Sequence, residues 1–161
     1  MTRIDFIAIH CSATPAGRDH DAADIDRWHR SRGFRQIGYH YVIKRDGTVE
    51  KGRPDDRPGA HARKINRRSI SVCLIGGSPP IGSREHRKGL GENNFTDEQW
   101  ASLAELVTTL SDRYPDAEVL GHRDVPGVRK ACPAFDVKDW WAQTQTHRRE
   151  TDALRKGGCA A

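Results

Sequence analysis

The sequence predicts a single α/β domain (α+β in some schemes), with a central mixed β-sheet flanked by helices. Three observations predict it. Compact apolar runs of strand length lie at Ile4–Ile9 and Ser69–Ile75. A helical stripe and a hairpin signal separate those runs, so strands and helices alternate along the chain. The length of 161 residues matches one domain of roughly 150 residues, and no internal repeat is visible.

Taken in order, Arg3 to Ile9 reads as a buried strand, because Ile4, Phe6, Ile7, Ala8 and Ile9 nearly fill it before His10-Cys11-Ser12 ends it. Asp24 reads as the N-cap of a short helix to about Arg32, with Ile25, Trp28 and Arg32 on one face and Gly33 as its stop. Tyr39–Arg45 and Thr48–Lys51 read as a hairpin closed by Asp46-Gly47 in a type I′ turn. From Gly52 to Arg68 the chain reads as a basic loop with room for one helical turn, since Pro54, Pro58 and Gly59 break anything longer. Ser69–Ile75 is the second buried strand, and 76–95 reads as a long loop punctuated by Gly and Pro. Thr96-Asp97-Glu98-Gln99 is a capping box, and Trp100, Leu103, Val107 and Leu110 supply the stripe of the clearest helix. Ala117–Leu120 reads as a short strand leading into Gly121-His122, and Asp136 as the cap of a last helix carrying Val137, Trp140 and Trp141. The expected division is a domain at 1–146 and a loose charged tail at 147–161.

Composition excludes several classes. Hydrophobic residues are 35% and charged residues 30% of the chain, which suits a small core under polar loops. No apolar run approaches the roughly 18 residues of a membrane-spanning helix. The opening residues Met1–Phe6 carry an acid inside their only apolar run, the mark of a strand rather than a signal peptide. The net charge is +5, and the segment Lys51–Arg68 carries an excess equal to it, with Lys51, Arg53, Arg57, Arg63, Lys64, Arg67 and Arg68 against Asp55 and Asp56. Such a field suits an anionic polymer, such as cell-wall material or nucleic acid, or simple solubility; no aromatic interleaves with it as a stacking platform would require. The four cysteines, Cys11, Cys73, Cys132 and Cys159, form no CxxC pair and no zinc-finger spacing. Cys73 reads as a small buried hydrophobe and Cys159 as an inert thiol of the tail. Asn94-Phe95-Thr96 fits a glycosylation sequon that an unsecreted protein does not use.

There is no HExxH, Walker A loop, GxSxG elbow or GxGxxG fingerprint. What remains are His10 and His122 at strand ends and Cys132 in a Pro/Gly-containing loop. A His₂Cys set gives zinc three ligands and leaves its fourth position for water; the competing reading is two histidines at strand ends by accident and a buried cysteine beside Pro133. Lys130, two residues before Cys132, is either a solvated charge or an ammonium that stabilises an oxyanion beside the metal. Tyr39 is either a core aromatic or a phenol that bonds the reacting water. His40 and His61 are further imidazoles, for substrate or for structure, and Asp124 or a backbone carbonyl would hold the outer nitrogen of a ligand histidine.

Three stretches carry a resemblance: Ile9-His10-Cys11-Ser12-Ala13-Thr14, Gly38-Tyr39-His40-Tyr41 through Asp46-Gly47-Thr48-Val49-Glu50, and Leu120-Gly121-His122-Arg123-Asp124-Val125-Pro126-Gly127 through Lys130-Ala131-Cys132-Pro133. Together they resemble the zinc-dependent N-acetylmuramoyl-L-alanine amidases, nearest to the compact phage endolysins, with peptidoglycan recognition proteins in the same superfamily. The resemblance runs from about residue 3 to 143, in family order. It implies the amidase/peptidoglycan recognition fold, one Zn²⁺ on His10, His122 and Cys132, and catalytic roles for Tyr39 and Lys130. It also implies a substrate-facing position for His61 and hydrolysis of the muramyl–L-alanine amide of peptidoglycan. A monomer is expected. The rival readings are a catalytically silent peptidoglycan receptor and a regulator of RNA polymerase. One family member binds a phage polymerase partly through an N-terminal extension, which is short here, so polymerase binding is not expected; a nucleic-acid binder rests on charge alone. With no signal peptide, the expected path is synthesis in the host cytoplasm and action on the wall once another protein has permeabilised the membrane.

Overall fold

The computed structural model describes residues 3–157; Cys159 lies outside them. Strand β1 (Phe6–Cys11) is the middle of the core because both its faces are covered, and every residue from Ile7 to Cys11 is buried. It pairs in parallel with β5 (Ser69–Leu74) on one side and β7 (Glu118–Gly121) on the other. Beyond β5 come β3 (Tyr41–Ile43), parallel to it, and β4 (Val49–Lys51), antiparallel to β3, giving the order β4-β3-β5-β1-β7. The central mixed sheet is thus present, and continuous apolar runs mark its doubly covered strands. The first strand begins later and runs further than its composition suggests. The β5 ladder carries pairing on through His10↔Cys73 and Cys11↔Leu74.

Side-chain alternation sorts the core into two faces. Ile7, Ile9, Ile70, Val72, Leu74 and Val119 pack with Leu103, Val107 and Leu110 of helix α3 (Asp97–Arg113), and with Phe135 and Val137. On the opposite face Ala8 and Leu120 meet Ala62, Ile65 and Val125. There Val42, Cys73 and Ile75 also meet Ile25 and Ile37. Cys73 is fully buried, as a small hydrophobe would be.

Several local expectations are corrected. Helix α1 (Ala22–Ser31) is capped by Asp21, not Asp24. Asp24 is the third helical residue of a reciprocal capping box, in which its carboxylate accepts from the Asp21 N–H while Asp21 accepts from the Asp24 N–H. The β3–β4 hairpin is not closed by a type I′ turn: only Gly47 has positive φ (+86°), and its N–H bonds to Lys44 O. That is a three-residue loop ending on a left-handed glycine. The 76–95 stretch is not structureless. Two residues, Gly77–Ser78 (β6), pair in parallel with Thr14–Pro15 (β2), and Arg84–Arg87 form a short helix, α2. Asn94 of the sequon spends its amide here, accepting from Gly77 N–H and donating to Ser78 O. The last helix, α4 (Val137–Gly157), runs through the segment expected to be tail; its straight-chain, charged residues favour helix, and Arg148 pairs with Asp112.

Candidate active site

The site lies where β1 and β7 end, at the carboxyl edge of the parallel strands. His10 shares its face with Ala8 and is 1% exposed. His122 opens a single 3-10 turn (His122–Asp124) directly after β7. The Asp124 carboxylate accepts the Gly121 N–H (2.8 Å) and so shapes that turn instead of holding a ligand histidine. Cys132 is tied back to it by the Arg123 N–H, which donates to Cys132 O (2.9 Å).

The structure brings these three residues together. One ligand atom from each of His10, His122 and Cys132 lies within 4.8 Å of the others. Cys132 Sγ is 3.9 Å from His10 Nδ1, and the His10 and His122 ring centroids are 4.5 Å apart. A tetrahedral zinc with bonds of 2.0–2.3 Å needs donors roughly 3.3–3.6 Å apart, so side-chain shifts of about an ångström close the shell. The donor set fits a metal. Burial holds His10 well on the neutral, ligating side and shifts His122 the same way, with Lys130 adding to the effect at both. The adjacent Cys11 thiol and burial push the Cys132 thiol well up, so a thiolate here needs a cation beside it. The Cys11 N–H points at that sulfur (3.3 Å) and is ready to bond it.

A cleft reaches His122 and Cys132, with His10 buried behind them, in two lobes of about 310 Å³ each, and Cys11, Ala13, Lys130 and Cys132 line both. The first lobe is walled by Trp28, Arg32, Phe34 and Tyr39, the second by His86, Leu90 and Arg129. Tyr39 stands 5.0 Å from His10, ring to ring, and burial raises its phenol well above the ordinary value, which keeps it a proton donor. Lys130 makes no ion pair among the described residues and borders both lobes. Close backbone approach sets this wall: a Cβ on Gly38 would lie 2.2 Å from Ala60 O, so only glycine lets the segment bearing Tyr39, just before β3, lie against the loop bearing His61.

The remaining imidazoles separate clearly. His40 is fully buried; its Nε2–H donates to Arg57 O (2.9 Å) and its Nδ1 faces Ser71 (2.9 Å to Oγ, 3.1 Å from N), so it is structural. His61 borders the first lobe, but its Nδ1 lies 2.9 Å from His10 Nε2 and its Nε2 lies 3.0 Å from Ser69 Oγ. Burial lowers its pKa to about 3, with His40 and His122 contributing. Sequence reasoning missed His29. It is 6% exposed, lines the first lobe, accepts the Gly38 N–H on Nδ1 (2.8 Å), and is lowered by burial to about 4. The signal was there: position 29 lies one turn from Ile25 on the same helix face.

In the basic segment Lys51 pairs with Asp55, Arg68 with Asp5, and Arg53 donates to Ile37 O and Pro58 O. Arg57, Arg63, Lys64 and Arg67 are exposed and without ion pairs among the described residues.

Residues 1–135 match the family model described as N-acetylmuramoyl-L-alanine amidase. The chain is 42% identical to the endolysin of Escherichia phage T7 over 141 residues, 88% of this chain and 87% of that one. It is likewise 42% identical to the endolysin of Klebsiella phage KP32 over 139 residues, 86% of each chain. Among solved structures, the N-acetylmuramoyl-L-alanine amidase LysC from Clostridium intestinale superposes with a TM-score of 0.70 at 26% identity, over 89% of this chain and 86% of that one. Drosophila PGRP-LB superposes at 0.63 and 26%, over 83% and 76%.

Proposed function

This chain belongs to the N-acetylmuramoyl-L-alanine amidase family, and from that premise we propose that it hydrolyses the amide joining N-acetylmuramic acid to L-alanine in bacterial peptidoglycan, with one zinc ion on His10, His122 and Cys132. The observation that carries the reading is the convergence of those three donors, drawn from distant segments, beside a cleft lined by His122, Cys132, Tyr39 and Lys130. The full donor set argues against a silent receptor.

Bound there, zinc would supply a Lewis acid and an acidified water. The chain's own groups do the rest. Lys130 brings a positive charge to the carbonyl oxygen as negative charge gathers on it. Tyr39, held as a phenol, orients the attacking water or passes a proton toward the departing alanine nitrogen. The neutral His29 offers an Nε2–H on the cleft wall, because its Nδ1 is occupied by the Gly38 N–H. Trp28 and Phe34 give the first lobe apolar surface. The exposed cations Arg57, Arg63, Lys64 and Arg67 would draw the enzyme to anionic wall polymers.

The test is mass spectrometry of purified sacculi after digestion. Free peptides beginning at L-alanine and glycan left with a free lactyl carboxylate are expected, abolished by chelator and restored by zinc. Products in which sugar and peptide stay joined would overturn the reading.

A further inference from the structure

Behind the metal face of His10 runs a chain of hydrogen bonds that can point only one way. Ile65 O accepts and cannot donate, so the Ser69 hydroxyl, 2.9 Å away, gives it its proton. A hydroxyl has one proton, so at its 3.0 Å contact with His61 it accepts, and His61 carries its proton on Nε2. Among the described residues the His61 ring contacts only His10 and Ser69 through its nitrogens, with no carboxylate to hold a second proton, so it carries one and its Nδ1 is an acceptor. The proton in the 2.9 Å contact between the two imidazoles then belongs to His10 Nε2. This leaves the lone pair of His10 on Nδ1, the atom that faces Cys132 Sγ.

We propose that His61 and Ser69 form a positioning relay that fixes the tautomer and ring angle of His10 for Nδ1 ligation, so that His61 acts through a metal ligand and not on the stem peptide. The inference rests on the zinc reading above. The relay is itself anchored. The His61 and Ala62 N–H groups both donate to Asn66 Oδ1 (2.9 and 2.8 Å), and Ser69 opens β5 opposite Phe6 of β1. The basic segment therefore holds the rear support of the metal site as well as a charged surface. Drawing electrons from Nδ1 makes the Nε2 proton a stronger donor, so metal binding and the relay strengthen each other.

The experiment is zinc affinity of the full chain, by competition with a chromophoric chelator and without substrate, so that failure of the amidase reading would not disturb it. His61→Ala should bind zinc about 10–100-fold more weakly. Ser69→Ala should weaken it in the same direction by less, and His61→Gln, whose amide oxygen can accept from His10, should recover part of the loss. Parental affinity in His61→Ala together with lost peptide release would overturn the proposal and put His61 on the substrate. Nitrogen NMR of the zinc-loaded parent decides independently of how the variants fold: a retained Nε2–H on His10 is expected, and zinc on His10 Nε2 would overturn the relay.

Discussion

Cys132 and Lys130 lie two residues apart and border the same two lobes of the cleft, yet their replacements should separate. Cys132→Ser should lose most zinc and activity together, read by metal content and sacculus digestion. Lys130→Ala should keep its zinc and digest about 10²–10³-fold more slowly, the usual cost of losing an oxyanion partner; parental digestion would remove that role. His29 makes a pH prediction. Its folded pKa of about 4 lies below the ordinary histidine value, so its stabilising effect is complete above about pH 6.5. As pH falls from there, the unfolded chain takes up a proton that the fold refuses, and stability declines until about pH 4. Urea midpoints across that window should fall in the parent and fall less in His29→Gln. At this scale His10, His122, Cys132, Tyr39 and Lys130 stand out in the sequence because their types and motif positions are specific. His29 does not, because a histidine on a helix face reads as polar until the bond to Gly38 is seen.

Helix α3 shows how an element announces itself. Thr96 and Gln99 bond each other's backbone N–H groups, as the capping box requires, and Leu103, Val107 and Leu110 are buried as their spacing predicts. Gln99 also does what no periodicity foretells. Fully buried, it donates to Ile43 O and Ile75 O and accepts from Arg45, joining the helix start to two strand ends. Thr96→Ala should cost about 1 kcal/mol, and Leu103→Ala about 2–5 kcal/mol, both read from denaturant unfolding. The misread hairpin turn and the misplaced α1 cap share a cause: two acids lie within reach of one helix start, and Asp-Gly fits more than one loop geometry. Only the paired hydrogen bonds decide between them.

Across the whole molecule, the strand order could not be read from the chain, because each parallel neighbour of β1 lies tens of residues away. Its two-sided burial could be read, from the unbroken apolar run. The basic segment makes a testable claim at this scale. Lysis of whole cells should weaken with salt more steeply than digestion of purified muropeptides, and the combined Arg63→Gln, Lys64→Gln and Arg67→Gln variant should lose that difference. The far end of α4 is exposed and tied to the body by the Arg148–Asp112 pair. A chain ending at Thr146 should therefore keep its digestion rate and most of its unfolding free energy. The placement of β1 inside the sheet, between β5 and β7, bears on synthesis as well. Strand β1 is translated before β5 and β7 and waits for both to flank it, and its histidine waits longer still, for a cysteine made 122 residues later. A nascent chain halted before β7 lacks part of the sheet, and one halted between β7 and Cys132 has every strand yet lacks the third donor, so the metal site cannot assemble until translation has passed residue 132.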